Sequence, residues 1–169
     1  ATVEEAFEAA ATFATQPLPK GNRVVVMTTA GGWGVVTADA IHESNLELLA
    51  LPEDLLAEIY TKLPPRGSRN NPVDLAGGET RDTIPEVMAM IAGHESVDAI
   101  VYLGLGIQSN QAKMMRDGAY YPDHGLERIV AYHQRQDQRF AEAAAEISAS
   151  TGKPILTATE LGTADPDNA

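Results

Sequence analysis

The chain has 169 residues and no cysteine, and its 12 basic against 24 acidic residues give a formal net charge of −12. This length suits one domain with its own core, and the negative charge opposes binding to nucleic acid or to an anionic membrane. The absence of cysteine excludes disulfides and thiolate sites, and the acidic N-terminus without a long apolar run predicts a cytoplasmic protein.

The N-terminal part predicts a helix followed by a buried strand. Apolar residues at helical spacing predict a helix from Val3 to Thr15, and the prolines of the 16–20 linker end it. The β-branched run 24–26 is too continuous for a half-exposed strand. It predicts a strand over 23–29 that is buried on both faces, as in a parallel sheet, and residues 1–20 are then a lead-in helix and linker.

A glycine loop follows this strand directly. Gly31, Gly32 and Gly34 permit positive φ and close backbone approach, and a helix is predicted from Trp33 to Ser44. The free N–H groups of the first helical turn carry about half a positive charge, so a phosphate or carboxylate would bind there. Two interpretations stay open at this point: an anion cradle, or a tight turn between strand and helix.

Other known site motifs do not fit. The dinucleotide pattern G-x-G-x-x-G fails at Thr37, and the Gly152-Lys153 pair lacks the Ser or Thr of a P-loop because Pro154 follows it. His124 and His133 lack the spacing of two metal-ligating histidines on one helix. No metal site is therefore expected.

The remaining elements alternate between strands and helices. Strands are predicted over 46–51, 97–103 and 154–159, and helices over 52–63, 81–92, from about 111, and over 126–150. This order predicts an α/β fold, a flavodoxin-like three-layer sandwich with a mostly parallel sheet and ligands at the carboxyl ends of its strands. The domain is expected to span 21–162, with its last strand missing and a polar tail over 163–169.

Several segments together resemble one module of a known enzyme family. They are Gly21 to Val24, Thr29 to Val36, Ala38 to Ala40 and Asn71 to Leu75. The resemblance is to the NDP-forming acyl-CoA synthetases, which include the ADP-forming acetate–CoA ligases and the succinyl-CoA synthetase superfamily. The module is the flavodoxin-like ligase-CoA domain that corresponds to the C-terminal part of the succinyl-CoA synthetase β subunit.

The resemblance implies a phosphoryl relay, in which an acyl phosphate passes its phosphoryl group to a histidine and the phosphohistidine passes it to ADP. In that family the histidine lies in a Ser-His-Thr-Gly-like motif of another domain, and none of the four histidines here has such neighbours. No catalytic residue is therefore expected in this chain. The implied partners are CoA-binding, histidine-bearing and ATP-grasp domains or subunits, with a homo-oligomer also open.

The cofactors implied by the resemblance belong to the complete enzyme. They are CoA, ATP or ADP, and Mg²⁺, and none of them is expected to bind to this chain alone. Within the chain, the resemblance implies that glycine-loop amides enclose the phosphohistidine. The expected phosphate-binding residues are Gly31, Gly32, Gly34, Gln108, Ser109 and Asn110.

Ordinary structural roles remain open for several of these positions. Ser109 and Asn110 are also suitable N-caps for a helix beginning near Gln111. Trp33 stands where many relatives have proline, and it either covers the cradle, contacts a partner domain or is a partly buried surface aromatic. A structural or interface role is expected for three residues of the second motif, Asn71, Pro72 and Asp74.

Two other functions are compatible with the sequence. One is a regulatory acyl-CoA-synthetase-like domain of a protein lysine acetyltransferase, which lacks the active histidine. The other is a free-standing phosphate- or flavin-binding module, since the flavodoxin-like fold supports many functions.

Overall fold

A computed structural model describes residues 2–68, 70–75 and 82–157, and these contain six helices and five strands. The helices are α1 (Val3–Thr15), α2 (Gly31–His42), α3 (Glu53–Tyr60), α4 (Thr83–Gly93), α5 (Ile107–Arg116) and α6 (Leu126–Thr151). The strands are β1 (Arg23–Thr28), β2 (Glu47–Leu48), β3 (Val73–Asp74), β4 (Ala99–Leu103) and β5 (Ile155–Thr157).

The strands form one parallel sheet with the order β2-β1-β4-β5, and β3 also pairs with β1. Because β4 occupies one edge of β1 over residues 24–28, both β2 and β3 lie along its other edge. Strand β2 pairs with Arg23 and Val24, whereas β3 pairs with Met27 and Thr28. Apart from the additional β3, this order is that of a flavodoxin-like sheet, and the predicted fold class is confirmed.

The side chain of Asn71 fills the gap between β2 and β3. Its Oδ1 accepts a hydrogen bond from the N–H of Val26 at 2.9 Å. Its Nδ2 donates to the carbonyl oxygens of Val24 at 2.8 Å and of Leu49 at 3.1 Å. This carboxamide therefore supplies the hydrogen bonds that a continuous neighbouring strand would otherwise give to β1.

The two faces of the sheet pack against different helices, because successive side chains of a strand point to opposite sides. On one face, Val25 and Met27 of β1 contact α3, α4 and α6 in the larger core. On the other face, Val24 and Val26 contact Ile41 of α2 in a smaller cluster. The continuous valine run of β1 is thus buried on both sides, as predicted.

An ion pair joins the beginning of β1 to the segment just before β4. Asp98 accepts hydrogen bonds from the backbone N–H of Arg23 at 3.0 Å and from its Nε at 2.8 Å. These bonds, together with the charge of the guanidinium, lower the pKa of the Asp98 carboxyl, although its burial opposes the shift. Gly21 packs against this pair, since a Cβ there would lie 2.5 Å from Asp98 Oδ2.

Several predicted boundaries are wrong. The second strand was expected over 46–51 but is confined to Glu47–Leu48, because after the backbone bond from the N–H of Leu49 to Val24 the next donor of β1, the N–H of Val26, bonds to Asn71. The short strand Val73–Asp74 was not predicted at all. Helix α2 begins two residues earlier than expected, and α5 begins at Ile107 rather than near 111.

Helix α1 lies near the beginning of the described residues and strand β5 at their end. Helix α1 has its predicted bounds and a capping box, yet none of its residues is buried. The strand predicted over 154–159 is observed as Ile155–Thr157. The expected tail over 163–169, and the expectation that a further strand is missing, lie outside the described residues. Within the described ranges, no helix combines the length and apolar character that a bilayer crossing requires.

Candidate functional site

The carboxyl ends of three strands meet at one edge of the sheet. Thr28 ends β1 and lies opposite Asp74 of β3 on one side and Leu103 of β4 on the other. From this edge α2 continues to one face of the sheet, whereas α5 packs against α6 on the other side. Adjacent parallel strands whose connections leave in opposite directions form the usual ligand crevice of open α/β sheets.

The first turn of α2 presents two unused backbone donors to this edge. The N–H groups of Trp33 and Gly34 donate to the carbonyl of Ala30 at 3.0 and 3.4 Å. The N–H groups of Gly31 and Gly32 form no hydrogen bond with any described residue. They lie at the positive end of the helix dipole, and the first turn contains no acidic residue.

The three glycines of this turn are needed for different reasons. None of them has positive φ, and the predicted glycine loop is instead the first turn of α2. A Cβ at Gly31 would lie 2.5 Å from Asp74 Oδ2, and a Cβ at Gly34 would lie 3.0 Å from Thr28 Cγ2. A Cβ at Gly32 would meet no described residue within 4 Å. Neighbouring side chains therefore explain Gly31 and Gly34, but not Gly32.

Two residues of the second motif, Pro72 and Asp74, lie beside the first turn of α2 at this edge of the sheet. Asp74 lies beside Gly31, and the ring of Pro72 lies close to Gly34, 3.2 Å from where a Cβ would be. Trp33 is 47% exposed, so its indole is not part of the buried core. Among the described residues, the first turn of α2 is therefore uncovered on the side where Gly32 lies.

The second predicted loop has a different geometry. Gly106, with φ of +87°, is the N-cap of α5 and has no side chain, so the expected capping by Ser109 and Asn110 is wrong. The N–H of Ser109 donates to Asp137 Oδ2 at 2.6 Å, and Asp137 of α6 is completely buried. The positive end of α5 is therefore already compensated by a carboxylate of the chain itself.

The other polar groups of this loop also have partners within the chain. The Gln108 side chain forms a hydrogen bond with His133, and the N–H of Asn110 donates to the carbonyl of Gly106 at 2.8 Å. Sequence reasoning gave no signal for the role of Asp137, which lies 28 residues from Ser109. The N–H groups of Ile107 and Gln108, like those of Gly31 and Gly32, form no hydrogen bond with a described residue, but the first turn of α5 is also bonded to the Asp137 carboxylate.

The described residues do not gather into a metal centre. No three of their His, Asp and Glu side chains converge on a common point. His124 makes an edge-on ring contact with Tyr120, and His94 pairs with Asp54 at 3.3 Å. These histidines have structural neighbours and no common centre.

Known proteins match this chain in part. Residues 24–106 match the family described as the Ligase-CoA domain. Over 100 residues the chain is 39% identical to the alpha subunit of ADP-forming acetate–CoA ligase II of Pyrococcus furiosus, a match covering 59% of this chain and 22% of that protein. It is also 29% identical over 100 residues to the ADP-forming 4-hydroxybutyrate–CoA ligase of Nitrosopumilus maritimus, covering 59% of this chain and 14% of that protein.

Solved structures show the same fold over nearly the whole chain. The dinucleotide-forming acetyl-coenzyme A synthetase 1 of Ca. Korarchaeum cryptofilum, in complex with phosphate and ADP, matches with a TM-score of 0.59 and 22% identity. That match covers 99% of this chain and 36% of the synthetase chain. A Pyrococcus horikoshii OT3 structure matches with a TM-score of 0.61 and 23% identity, covering 99% of this chain and 39% of that one. The chain thus spans a minor part of each of these proteins.

Proposed function

We propose that this chain is a ligase-CoA domain of an NDP-forming acyl-CoA synthetase and that it helps to form the site of phosphoryl transfer. The observation that carries the proposal is the pair of unused N–H groups at Gly31 and Gly32, at the positive end of α2 and at the switch point of the sheet. The matched segment 24–106 contains both glycines, and the curated relatives described above are ADP-forming CoA ligases.

The complete enzyme would convert an acid, CoA and ATP into an acyl-CoA, ADP and phosphate. In the reverse direction, an acyl phosphate gives its phosphoryl group to a histidine, and the phosphohistidine gives it to ADP. Each transfer breaks one bond to phosphorus and forms another, so the chemistry depends on positioning and on stabilising the charge of the phosphoryl oxygens. Two backbone donors and a helix dipole supply this stabilisation without a lysine.

The two backbone donors of α2 would stabilise the phosphoryl oxygens substantially. A hydrogen bond to a charged group contributes about 1.5–3 kcal/mol, and two aligned donors in a partly dehydrated crevice approach the upper end of that range. The carboxylate of Asp74 lies on the Gly31 side of the turn. An incoming phosphoryl group therefore approaches from the open Gly32 side, where it avoids close contact with that negative charge.

The phosphorylated histidine and the cofactors belong to other parts of the proposed enzyme. CoA, the nucleotide and its Mg²⁺ would be bound by CoA-binding and ATP-grasp domains, and the histidine would come from a further domain. Of the matched proteins, the acetyl-coenzyme A synthetase structure is described as a complex with phosphate and ADP. The contribution of this chain is the α2 amides, which hold the phosphoryl oxygens but form no bond to phosphorus.

The test is single-turnover phosphoryl transfer from the phosphorylated complete enzyme to ADP. A Gly32→Val substitution places a branched side chain beside the free amides, so transfer should slow by at least about tenfold while CoA binding is unchanged. Gly93→Val is the matched control, because Gly93 also has open space around it but lies at the end of α4. Equal transfer rates in wild type and Gly32→Val would reject the assignment, and a complete protein without any transfer activity would favour a regulatory role.

A further inference from the structure

A cavity of about 420 Å³ lies at the amino ends of β1, β4 and β5, the end of the sheet opposite the candidate phosphoryl site. We call it the amino-end cavity. Lys20, Arg23 and Lys153 line it with three of the chain's 12 basic residues. Glu95 and Asp98 add two carboxylates, so the lining keeps a net positive charge on a chain whose net charge is −12. This excess of positive charge favours an anionic ligand.

The carboxylate of Asp98 is already paired with Arg23. Its oxygens accept hydrogen bonds from Arg23 Nε at 2.8 Å and from a terminal guanidinium nitrogen at 3.1 Å. Among the described residues, neither Lys20 nor Lys153 has a carboxylate within ion-pair distance. The amine of Lys153 donates to the carbonyl oxygen of His94 at 2.6 Å, which leaves two of its three ammonium N–H groups for a ligand. The two lysines are thus the cations of the amino-end cavity that an anion would neutralise.

The surroundings of Lys153 favour its neutral, nucleophilic form. Burial lowers the pKa of Lys153, and the charge of Asp98 opposes this shift. The charges of Lys20 and Arg23 lower the same pKa further. Desolvation and neighbouring cations are two ordinary ways in which a protein activates a lysine amine. The hydrogen bond to the His94 carbonyl uses one N–H, so the lone pair of the neutral amine stays available for attack.

We infer that the amino-end cavity binds an acyl phosphate and that this ligand acylates Lys153. In an acyl phosphate the anionic group is bonded directly to the reacting carbonyl, so one small cavity holds both beside Lys20 and Lys153. The lone pair of Lys153 attacks the carbonyl carbon, a C–N bond forms, and the C–O bond to the phosphate breaks. The phosphate leaves with an amine proton as hydrogen phosphate, and the lysine becomes a neutral amide.

Acylation of Lys153 goes beyond the proposed function. Only the cellular source of the acyl phosphate rests on that function, because an acyl phosphate is an intermediate of the proposed reaction. A CoA thioester is a less suitable donor, since its pantetheine arm separates the phosphates from the carbonyl. The chemical class of the ligand is therefore a small acyl phosphate.

Acetyl phosphate is the probe that tests this site, and peptide-level mass spectrometry of the 169-residue chain measures the acetylation rate of each lysine. The chain has four lysines, and the exposed Lys113 of α5 is the reference in the same sample. We expect Lys153 to be acetylated at least about fivefold faster than Lys113. With the uncharged reagent N-acetoxysuccinimide this ratio should fall about threefold or more, because only acetyl phosphate carries the charge that the cavity attracts.

A Lys20→Gln variant removes one cation from the amino-end cavity, and Lys62→Gln is the matched control because it removes the same charge elsewhere. Lys20→Gln should slow the reaction of Lys153 with acetyl phosphate about threefold or more, whereas Lys62→Gln should leave it unchanged. Equal rates at Lys113 and Lys153 would overturn the inference, as would a preference for Lys153 that is just as large with the uncharged reagent. None of these measurements involves phosphoryl transfer, so unchanged transfer in Gly32→Val would overturn the proposed function separately.

Discussion

Two adjacent glycines at the beginning of α2 should respond in opposite directions to the same substitution. Gly32→Ala should stabilise the chain by about 0.4–1 kcal/mol, because alanine restricts the unfolded chain and its Cβ meets no atom of the described residues within 4 Å. Gly31→Ala restricts the unfolded chain to the same extent but places its Cβ 2.5 Å from Asp74 Oδ2, about 0.9 Å closer than ordinary contact. Overpacking of this kind costs about 1–3 kcal/mol. The net change should be a loss of up to about 2.6 kcal/mol.

Urea denaturation of the 169-residue chain measures both changes in unfolding free energy. Wild type and variants are compared with a common m value, the slope of the unfolding free energy against urea concentration. Gly93→Ala is the matched control, since Gly93 also has open space and should be stabilised like Gly32. The reasoning would be refuted if Gly31→Ala were as stable as Gly32→Ala. In that case the Asp74 carboxylate would move aside at no cost, and Gly31 would have no packing reason to be glycine.

Three further predictions concern the polar contacts that hold the sheet and α5. Asp98→Asn should cost about 1.5–3 kcal/mol, less than a fully buried pair, because Arg23 is 37% exposed. Arg23 lowers the pKa of Asp98 from 3.8, so the stabilisation from this ion pair is complete above that pH and is lost as the pH falls through the folded-state pKa. Acid titration of the unfolding free energy should show this loss in wild type and not in Asp98→Asn. Asn71→Ala should cost about 3 kcal/mol, because the N–H of Val26 and the carbonyl of Leu49 lose their bonds to this side chain, and a loss below about 1 kcal/mol in urea denaturation would contradict the bridging role. Asp137→Asn should cost about 1–2 kcal/mol and speed amide hydrogen exchange at Ser109, whereas unchanged exchange would contradict the carboxylate contact.

The sequence predicted the central framework because the relevant signals are local. The valine run of β1 has one pattern that fits burial on both faces, and the structure confirms it. The helical spacing at 3–15 and at 126–150 likewise gave bounds correct to within a residue. The strand–glycine–helix order then located the candidate site at the edge of the sheet.

The sequence failed where a distant group decides the outcome. Nothing near Gln108 indicates that the Asp137 carboxylate bonds to the first turn of α5, which makes this helix end the less favourable of the two predicted anion sites. Nothing in the predicted second strand indicates that Asn71 ends its pairing with β1. In both cases the competing partner lies more than 20 residues away along the chain, and spacing carries no information about it.

The sequence by itself determined the parallel α/β framework and the glycine-rich beginning of α2, because burial periodicity and glycine content act within one element. Only the tertiary structure decided which amides stay available and why each glycine is there. Gly31 and Gly34 are explained by Asp74 and Thr28 across the sheet edge, whereas Gly32 has no neighbour of this kind in the part of the chain that the structure describes. The physical reason is that hydrogen-bond competition and steric contact depend on distances between elements, which are set only when the chain folds.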